Sequence, residues 1–245
     1  MHLIYLLTPR QHDALFPVDD GPYFQGITSI DLMLQEKLPM TPMRLMTGPL
    51  LANSYILCED DCVLVDPAGD VEDILRVLRG RNLRFIVATH MHFDHIWSAK
   101  ALVDSTGADF LVHRLDWELR DEFLSMAEEL GFRPPAPPDR AEFVEDGQTI
   151  WHGLRIMHTP GHTPGSISLV GSGFILTGDL LFNGSVGRTD LLASDSRALA
   201  SSICRIYREI PHHYVVYPGH GPPTTVGAEA TGNPFLRASS CSTSS

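Results

Sequence analysis

The chain has 245 residues, of which 43% are hydrophobic and 20% charged, enough for one large domain with a well-buried core. Eighteen Lys and Arg stand against thirty Asp and Glu, a net charge of −12, which speaks against tight binding to a nucleic-acid backbone. No run approaches the roughly 20 apolar residues of a membrane span, and the apolar start Met1 to Leu7 lacks the basic n-region of a signal peptide.

Along the chain, Pro9, Pro17, Pro22, Pro39 and Pro42 interrupt any long element. Residues 1–42 therefore read as an N-terminal extension, packed against the main domain or swapped onto another copy in a homo-oligomer. Strands are predicted at Met43 to Thr47, Ala52 to Cys58 and Cys62 to Asp66, the last two forming a hairpin around Glu59-Asp60-Asp61. Asp70 fits the cap of a helix over Val71 to Arg79, with Val71, Ile74, Leu75 and Leu78 on one face and Gly80 at its stop. A buried strand over Leu83 to Ala88 leads into a His-rich stretch. A helix then runs from Ile96 to Asp104, a strand over Phe110 to Val112, and one helix over Leu115 to Leu130. Pro134, Pro135, Pro137 and Pro138 mark a loop. Strands follow at Thr149 to Trp151, Leu154 to His158, Ser166 to Val170 and Phe174 to Thr177, then a helix over Ser196 to Ile210 and a strand over Tyr214 to Tyr217. Arg237 to Ser245 is polar and expected to be a disordered tail. The alternation in two successive halves predicts an α/β fold with two packed sheets between helical layers, over residues 43–236.

The four cysteines, Cys58, Cys62, Cys204 and Cys241, do not read as a disulfide framework, which favours a reducing, cytoplasmic setting. Cys58 and Cys62 lack a second pair to complete a zinc site and are expected to pack or face solvent on adjoining strands.

Three short stretches carry the chemistry. Thr89-His90-Met91-His92-Phe93-Asp94-His95 follows a buried strand. Thr159-Pro160-Gly161-His162-Thr163-Pro164-Gly165 is followed by Thr177-Gly178-Asp179, and Tyr217-Pro218-Gly219-His220-Gly221 comes last. His90 and His92, two apart, can point to one side of a strand-to-helix turn, while Asp94 and His95 follow as the helix begins. Glycines beside His162, Asp179 and His220 permit tight loops near a metal. Five imidazoles and two carboxylates suit a pair of divalent ions sharing a water, a source of nucleophile at neutral pH. The donors are nitrogen and oxygen only, so zinc is favoured, with iron and manganese possible. His2, His12, His113, His152, His158, His212 and His213 lack such a context and read as surface or packing residues.

These motifs resemble the metallo-β-lactamase fold superfamily, and within it the short form of the glyoxalase II group (hydroxyacylglutathione hydrolases). The likeness runs from about Met43 to Leu236. It includes Val65-Asp66-Pro67, Thr177-Gly178-Asp179-Leu180-Leu181-Phe182, Gly184-Ser185-Val186-Gly187-Arg188-Thr189-Asp190, the run Pro218 to Thr225, and Asn233-Pro234-Phe235-Leu236. The resemblance implies an αββα sandwich. It implies His90, His92 and His162 on one metal, Asp94, His95 and His220 on the other, and Asp179 with a water or hydroxide between them. Full-length members grip glutathione with a C-terminal helical extension that has no counterpart here, so glutathione recognition is left open.

The expected reaction is hydrolysis of a small-molecule thioester, with Asp94 and Asp179 as catalytic residues and Asp94 also orienting the nucleophile. A thiolate leaving group, with a pKa near ~8.5, needs little help from an acid. Arg188 could hold a substrate carboxylate through its two-pronged guanidinium, or form an ion pair with Asp190. The rival expectation is a persulfide dioxygenase with one iron on His90, His162 and Asp179. It shares the Gly-Arg-Thr-Asp stretch.

Overall fold

The computed structural model describes residues 40–241. The extension expected over 1–42, and the oligomer contact assigned to it, lie outside these residues apart from positions 40–42.

Two six-stranded sheets face each other. The first contains β1 (Met43–Thr47), β2 (Ala52–Cys58), β3 (Cys62–Val65), β4 (Leu83–Val87), β5 (Asp109–Val112) and β6 (Glu142–Phe143), in that order. Its first three strands are antiparallel; β3 to β6 are parallel. The parallel pairs are joined by crossover helices, as parallel pairing requires. These are α1 (Val71–Leu78), between β3 and β4, and α2 (Ala99–Thr106), between β4 and β5. Between β5 and β6 run α3 (Arg114–Glu118) and α4 (Arg120–Glu129). The second sheet holds β7 (Thr149–Trp151), β8 (Leu154–His158), β9 (Ile167–Gly171) and β10 (Phe174–Gly178). It is completed by β13 (Val215–Pro218) and β14 (Thr224–Thr225), in the order β14-β13-β10-β9-β8-β7. A small hairpin of β11 (Leu181–Phe182) and β12 (Ser185–Val186) lies between β10 and α5 (Ser196–Glu209). Helix α6 (Val226–Gly232) follows β14.

Strand alternation sorts the apolar side chains into three layers. Tyr55, Leu57, Val63, Val65, Val87 and Leu111 point inward, against Trp151, Leu154, Ile156, Ile167, Leu169, Phe174 and Leu176 of the other sheet. Their neighbours Ile56, Leu64, Ile86 and Phe110 point the opposite way, to Ile74 and Leu78 of α1, Leu102 of α2 and Phe123 of α4. On the far side Met157, Ile175 and Val216 meet Leu199, Ile203 and Ile206 of α5. The fold is an αββα sandwich.

Several local expectations are corrected. The left-handed turn that ends α1 begins at Arg79 (φ 52°), one residue before Gly80. Helix α2 starts at Ala99, not Ile96, because the chain bearing Asp94 and His95 is a tight turn in which His95 N–H donates to His92 O. The helix expected over Leu115 to Leu130 breaks at Leu119, which ends α3 and starts α4. The cysteines are paired. Cys58 and Cys62 are directly opposed across β2 and β3, and they and Cys204 with Cys241 form disulfides with Cα separations of 4.2 and 5.6 Å. Residues 237–241 are accordingly not the disordered tail their composition suggests. They contain a 3₁₀ turn at Ala238–Ser240 and pack on the α5 layer.

One polar clamp joins the sheets next to the His220 loop. Asn53 Nδ2 donates to Pro218 O and Gly221 O, both at 2.9 Å, and its N–H donates to Gly219 O. Tyr55 Oη donates to Pro218 O at 2.7 Å, and Arg44 reaches Gly221 O at 3.0 Å. Replacing Asn53 by Ala removes two hydrogen bonds, at a cost of about 1–3 kcal/mol, although Tyr55 still serves Pro218 O and Arg44 still serves Gly221 O; Tyr55→Phe removes one and should cost about 0.5–1.5 kcal/mol. Urea midpoints at constant m check this ranking; a larger loss in Tyr55→Phe would reverse the assignment of the clamp.

Candidate metal centre

The strands end together, and their loops carry the donors to one place. All seven residues singled out by the motifs converge there. They form three overlapping groups: His90, His92 and His162; His90, His95 and Asp179; and Asp94, His95 and His220. In each, the donor atoms lie within 4.8 Å of one another. Tetrahedral coordination at about 2.0–2.2 Å would place donors about 3.4 Å apart. His92 Nδ1 and His162 Nε2 are separated by 2.9 Å, and His95 Nε2 and His220 Nε2 by 3.3 Å. Asp179 lies between the outer groups. Its Oδ1 is 3.3 Å from His95 Nε2, and its Oδ2 is 3.7 Å from both His162 and His220. Asp94 Oδ2 approaches His220 Nε2 at 3.2 Å. Gly219 is needed for this close approach: a Cβ there would strike the Asp179 carboxylate and the His95 ring.

The support behind the donors fixes which ring nitrogen is free. Asp66, at the end of β3 with φ 53°, is buried. Its carboxylate accepts from Thr89 N–H and Thr89 Oγ1, each at 2.7 Å, and from His95 Nδ1 at 3.0 Å. Because Thr89 Oγ1 spends its proton on Asp66, it accepts from His90 Nδ1 at 3.0 Å. Nε2 of both rings is thereby the nitrogen left to face the cluster. His162 Nδ1 donates to Arg188 O at 3.0 Å, with the same result. Asp116, fully buried on α3, ties the first two motif loops together. It accepts from Met91 N–H (3.0 Å), Thr163 Oγ1 (2.8 Å) and Gly165 N–H (2.6 Å). Burial pushes its carboxyl up to about 6 against the pull of these donors.

The residues present fit divalent cations. His90 Nε2 and Asp179 Oδ1, both in the cluster, are buried without a hydrogen-bond partner, a costly state unless another ligand satisfies them. Burial holds His90 neutral, well below the usual imidazole range, and with help from His162 brings His92 down to about 3. Burial opposes the charge on Asp179, but His95, His220 and His162 outweigh it and keep the carboxylate ionised. Burial also opposes a charged His95, yet Asp179, Asp94 and Asp66 raise it well above its ordinary value. A cation replacing that proton would satisfy the same carboxylates.

Arg188 lies at the rim of the same cavity. Its Nε and Nη2 are taken up by the Asp190 carboxylate, both at 2.9 Å, on an exposed surface. Its contribution to the cluster is its carbonyl, which orients His162. Among the described residues none of the other histidines joins the cluster; His113 and His158 stack on one another at 4.2 Å, and His2 and His12 lie outside the description. Asp66 and Asp116 were not singled out as site residues by the sequence. Asp66 stands in the Val65-Asp66-Pro67 motif, but a lone Asp on α3, Asp116, carries no signal until the fold brings Met91, Thr163 and Gly165 around it.

The chain is similar to known proteins of one family. Residues 47–220 match the profile of the Metallo-beta-lactamase superfamily. The probable metallo-hydrolase YqgX of Bacillus subtilis is 35% identical over 204 residues, 79% of this chain and 96% of the relative. The hydroxyacylglutathione hydrolase GloC of Haemophilus influenzae is 31% identical over 192 residues, 74% of this chain and 90% of the relative. The crystal structure of TTHA1623 in a di-iron-bound form superposes with a TM-score of 0.74 at 36% identity, covering 80% of this chain and 100% of that one. Two sheets whose loops bring seven nitrogen and oxygen donors to one buried point, together with these matches, place the chain in the metallo-beta-lactamase superfamily of metallo-hydrolases.

Proposed function

We propose that the chain is a thioester hydrolase of the hydroxyacylglutathione hydrolase type, with His90, His92 and His162 holding one divalent ion, Asp94, His95 and His220 a second, and Asp179 shared. The observation that carries this reading is the pair of three-donor groups flanking one carboxylate. When bound, the ions would supply hydroxide at neutral pH and offset the charge that develops on the acyl oxygen. Zinc is the ion favoured; iron and manganese suit the same donors.

The chain's own residues set the rest. Asp66 and the Arg188 carbonyl hold His95 and His162 in one tautomer and one orientation. Asp94, 3.2 Å from His220 and lining the cavity, is placed to orient the attacking water. Overall, a water gives its oxygen to the acyl carbon and its protons to solvent, the carbon–sulfur bond breaks, and the electron pair leaves on sulfur, giving a carboxylate and a thiolate. Among the described residues that line the cavity, every ionisable side chain except Arg188 belongs to the donor set. No separate acid is available to protonate an amine, which favours a thiolate, with a pKa near ~8.5, over an amide leaving group. The identity to the Haemophilus influenzae hydrolase supports the same choice. The substrate is read as a small-molecule thioester.

Purified protein is expected to carry two ions per chain and to hydrolyse S-lactoylglutathione. Chelation should abolish turnover and lower the melting temperature, because binding at a hundredfold excess over Kd contributes about 2.7 kcal/mol; added zinc should restore both. A single iron per chain with oxygen uptake on glutathione persulfide would replace the hydrolase by a dioxygenase.

Asp66→Asn tests the support directly. The amide presents N–H to His95 Nδ1, which must then accept, moving the ring proton to Nε2, the atom meant for the ion. Metal affinity is expected to fall about 10–100-fold in a competitive chelator titration, with the folded state retained by circular dichroism. Unchanged affinity would remove Asp66 from the scheme.

A further inference from the structure

We infer that the cavity over the metal cluster is an acyl site built for apolar acyl groups, so that the enzyme selects its thioester by the acyl half rather than by the thiol carrier. This rests on the thioesterase reading and names its substrate class.

The cavity has a volume of about 300 Å³, at the small end of ligand sites. Five of the seven candidate ligands form its polar side. The remaining wall is apolar and comes from separate parts of the fold. Leu50 lies on the β1–β2 loop, Phe93 in the His-rich turn, Met126 and Leu130 at the end of α4, Phe182 on β11, and Leu191 ahead of α5. Phe182 stands edge-on to His220, with ring centroids 6.5 Å apart, so the apolar wall begins directly beside the donors. Leu50 and Leu130 stay 40% and 57% exposed; apolar side chains grouped around a polar centre mark a binding surface.

What the wall lacks is equally specific. A glutathione carrier brings two carboxylates, yet Arg188 is the one cationic side chain among the described lining residues, and Asp190 already fills its fork. The chain's net charge of −12 adds no attraction for an anionic carrier. An aliphatic or aromatic acyl group gains from burial against this wall. The carrier gains little and is left at the mouth.

The test is a series of acetyl, butyryl and hexanoyl thioesters on one small neutral thiol, N-acetylcysteamine, assayed with the metal-loaded full chain. Up to the length that fills the cavity, kcat/KM should rise about fourfold per added methylene, the value expected for burying a CH₂. Leu130→Lys, at an exposed position that tolerates charge, should flatten this gradient. Calorimetric binding of the matching S-alkyl thioethers, which cannot be hydrolysed, should show the same gradient in Kd. A flat series in both assays, with S-lactoylglutathione still turned over, would overturn the acyl site and leave the hydrolase standing. A gradient in thioether binding with no thioester hydrolysed would keep the apolar site and discard the hydrolase.

Discussion

A buried carboxylate at the end of β3 is the constraint around which the metal-binding end is organised. Asp66 is 1% exposed, and an unpaired charge at such depth would cost several kcal/mol. It is stable there because Thr89 offers two donors and His95 a third. The same bonds fix the first motif: Thr89 sets His90, and Asp66 itself sets His95. The backbone contributes as well, since Ser54 Oγ donates to Asp66 O and accepts from Ala68 N–H. The left-handed turn at Asp66 is thus held from both sides. One residue that touches no candidate ion determines the presentation of two rings that do.

Asp116 performs the complementary task between loops rather than within one. Its three acceptor contacts join the Met91 loop of the first sheet to the Thr163–Gly165 loop of the second. Gly165 passes so close that a Cβ would collide with Asp116. Asn53 and Tyr55 make the corresponding tie to the third loop. The two sheets are packed by apolar alternation, which sets their separation but not the position of a loop to within an ångström. The polar ties supply that last increment, in keeping with the need for positioned donors around a cation.

Much of this was legible in the sequence because it is local. The apolar run Tyr55 to Cys58, the buried run into His90, and the Gly-flanked His162, Asp179 and His220 each announce themselves within a few residues. The convergence of all seven could be expected from their order and types. What could not be read depends on contacts between distant residues. Asp116 and Asn53 acquire meaning only from partners 25 to 168 positions away. The Cys204–Cys241 bond, 37 residues apart, ties residues 237–241, whose composition is that of a disordered tail, to α5. The cysteines across the β2–β3 hairpin lie closer to what the sequence shows: both strands are legible, and their register alone places Cys58 against Cys62. The break at Leu119 was hidden because the apolar stripe of Leu119, Phe123 and Met126 fits one continuous helix.

The apolar half of the cavity follows a different logic from the ligand half. Donors must be held by a dense hydrogen-bonded backing, and they sit on the tight ends of strands. Leu50, Met126, Leu130 and Leu191 line the cavity from loops and a helix end, and none of them hydrogen-bonds through its side chain. They can change without disturbing Asp66, Asp116 or the clamp on Pro218. A fold organised this way separates the chemistry, fixed by buried polar contacts, from the choice of substrate, set by side chains at its rim. The distance between the two is short: Phe182 lies on β11, three residues after Asp179, so the end of β10 that presents this carboxylate leads directly into the apolar wall of the cavity.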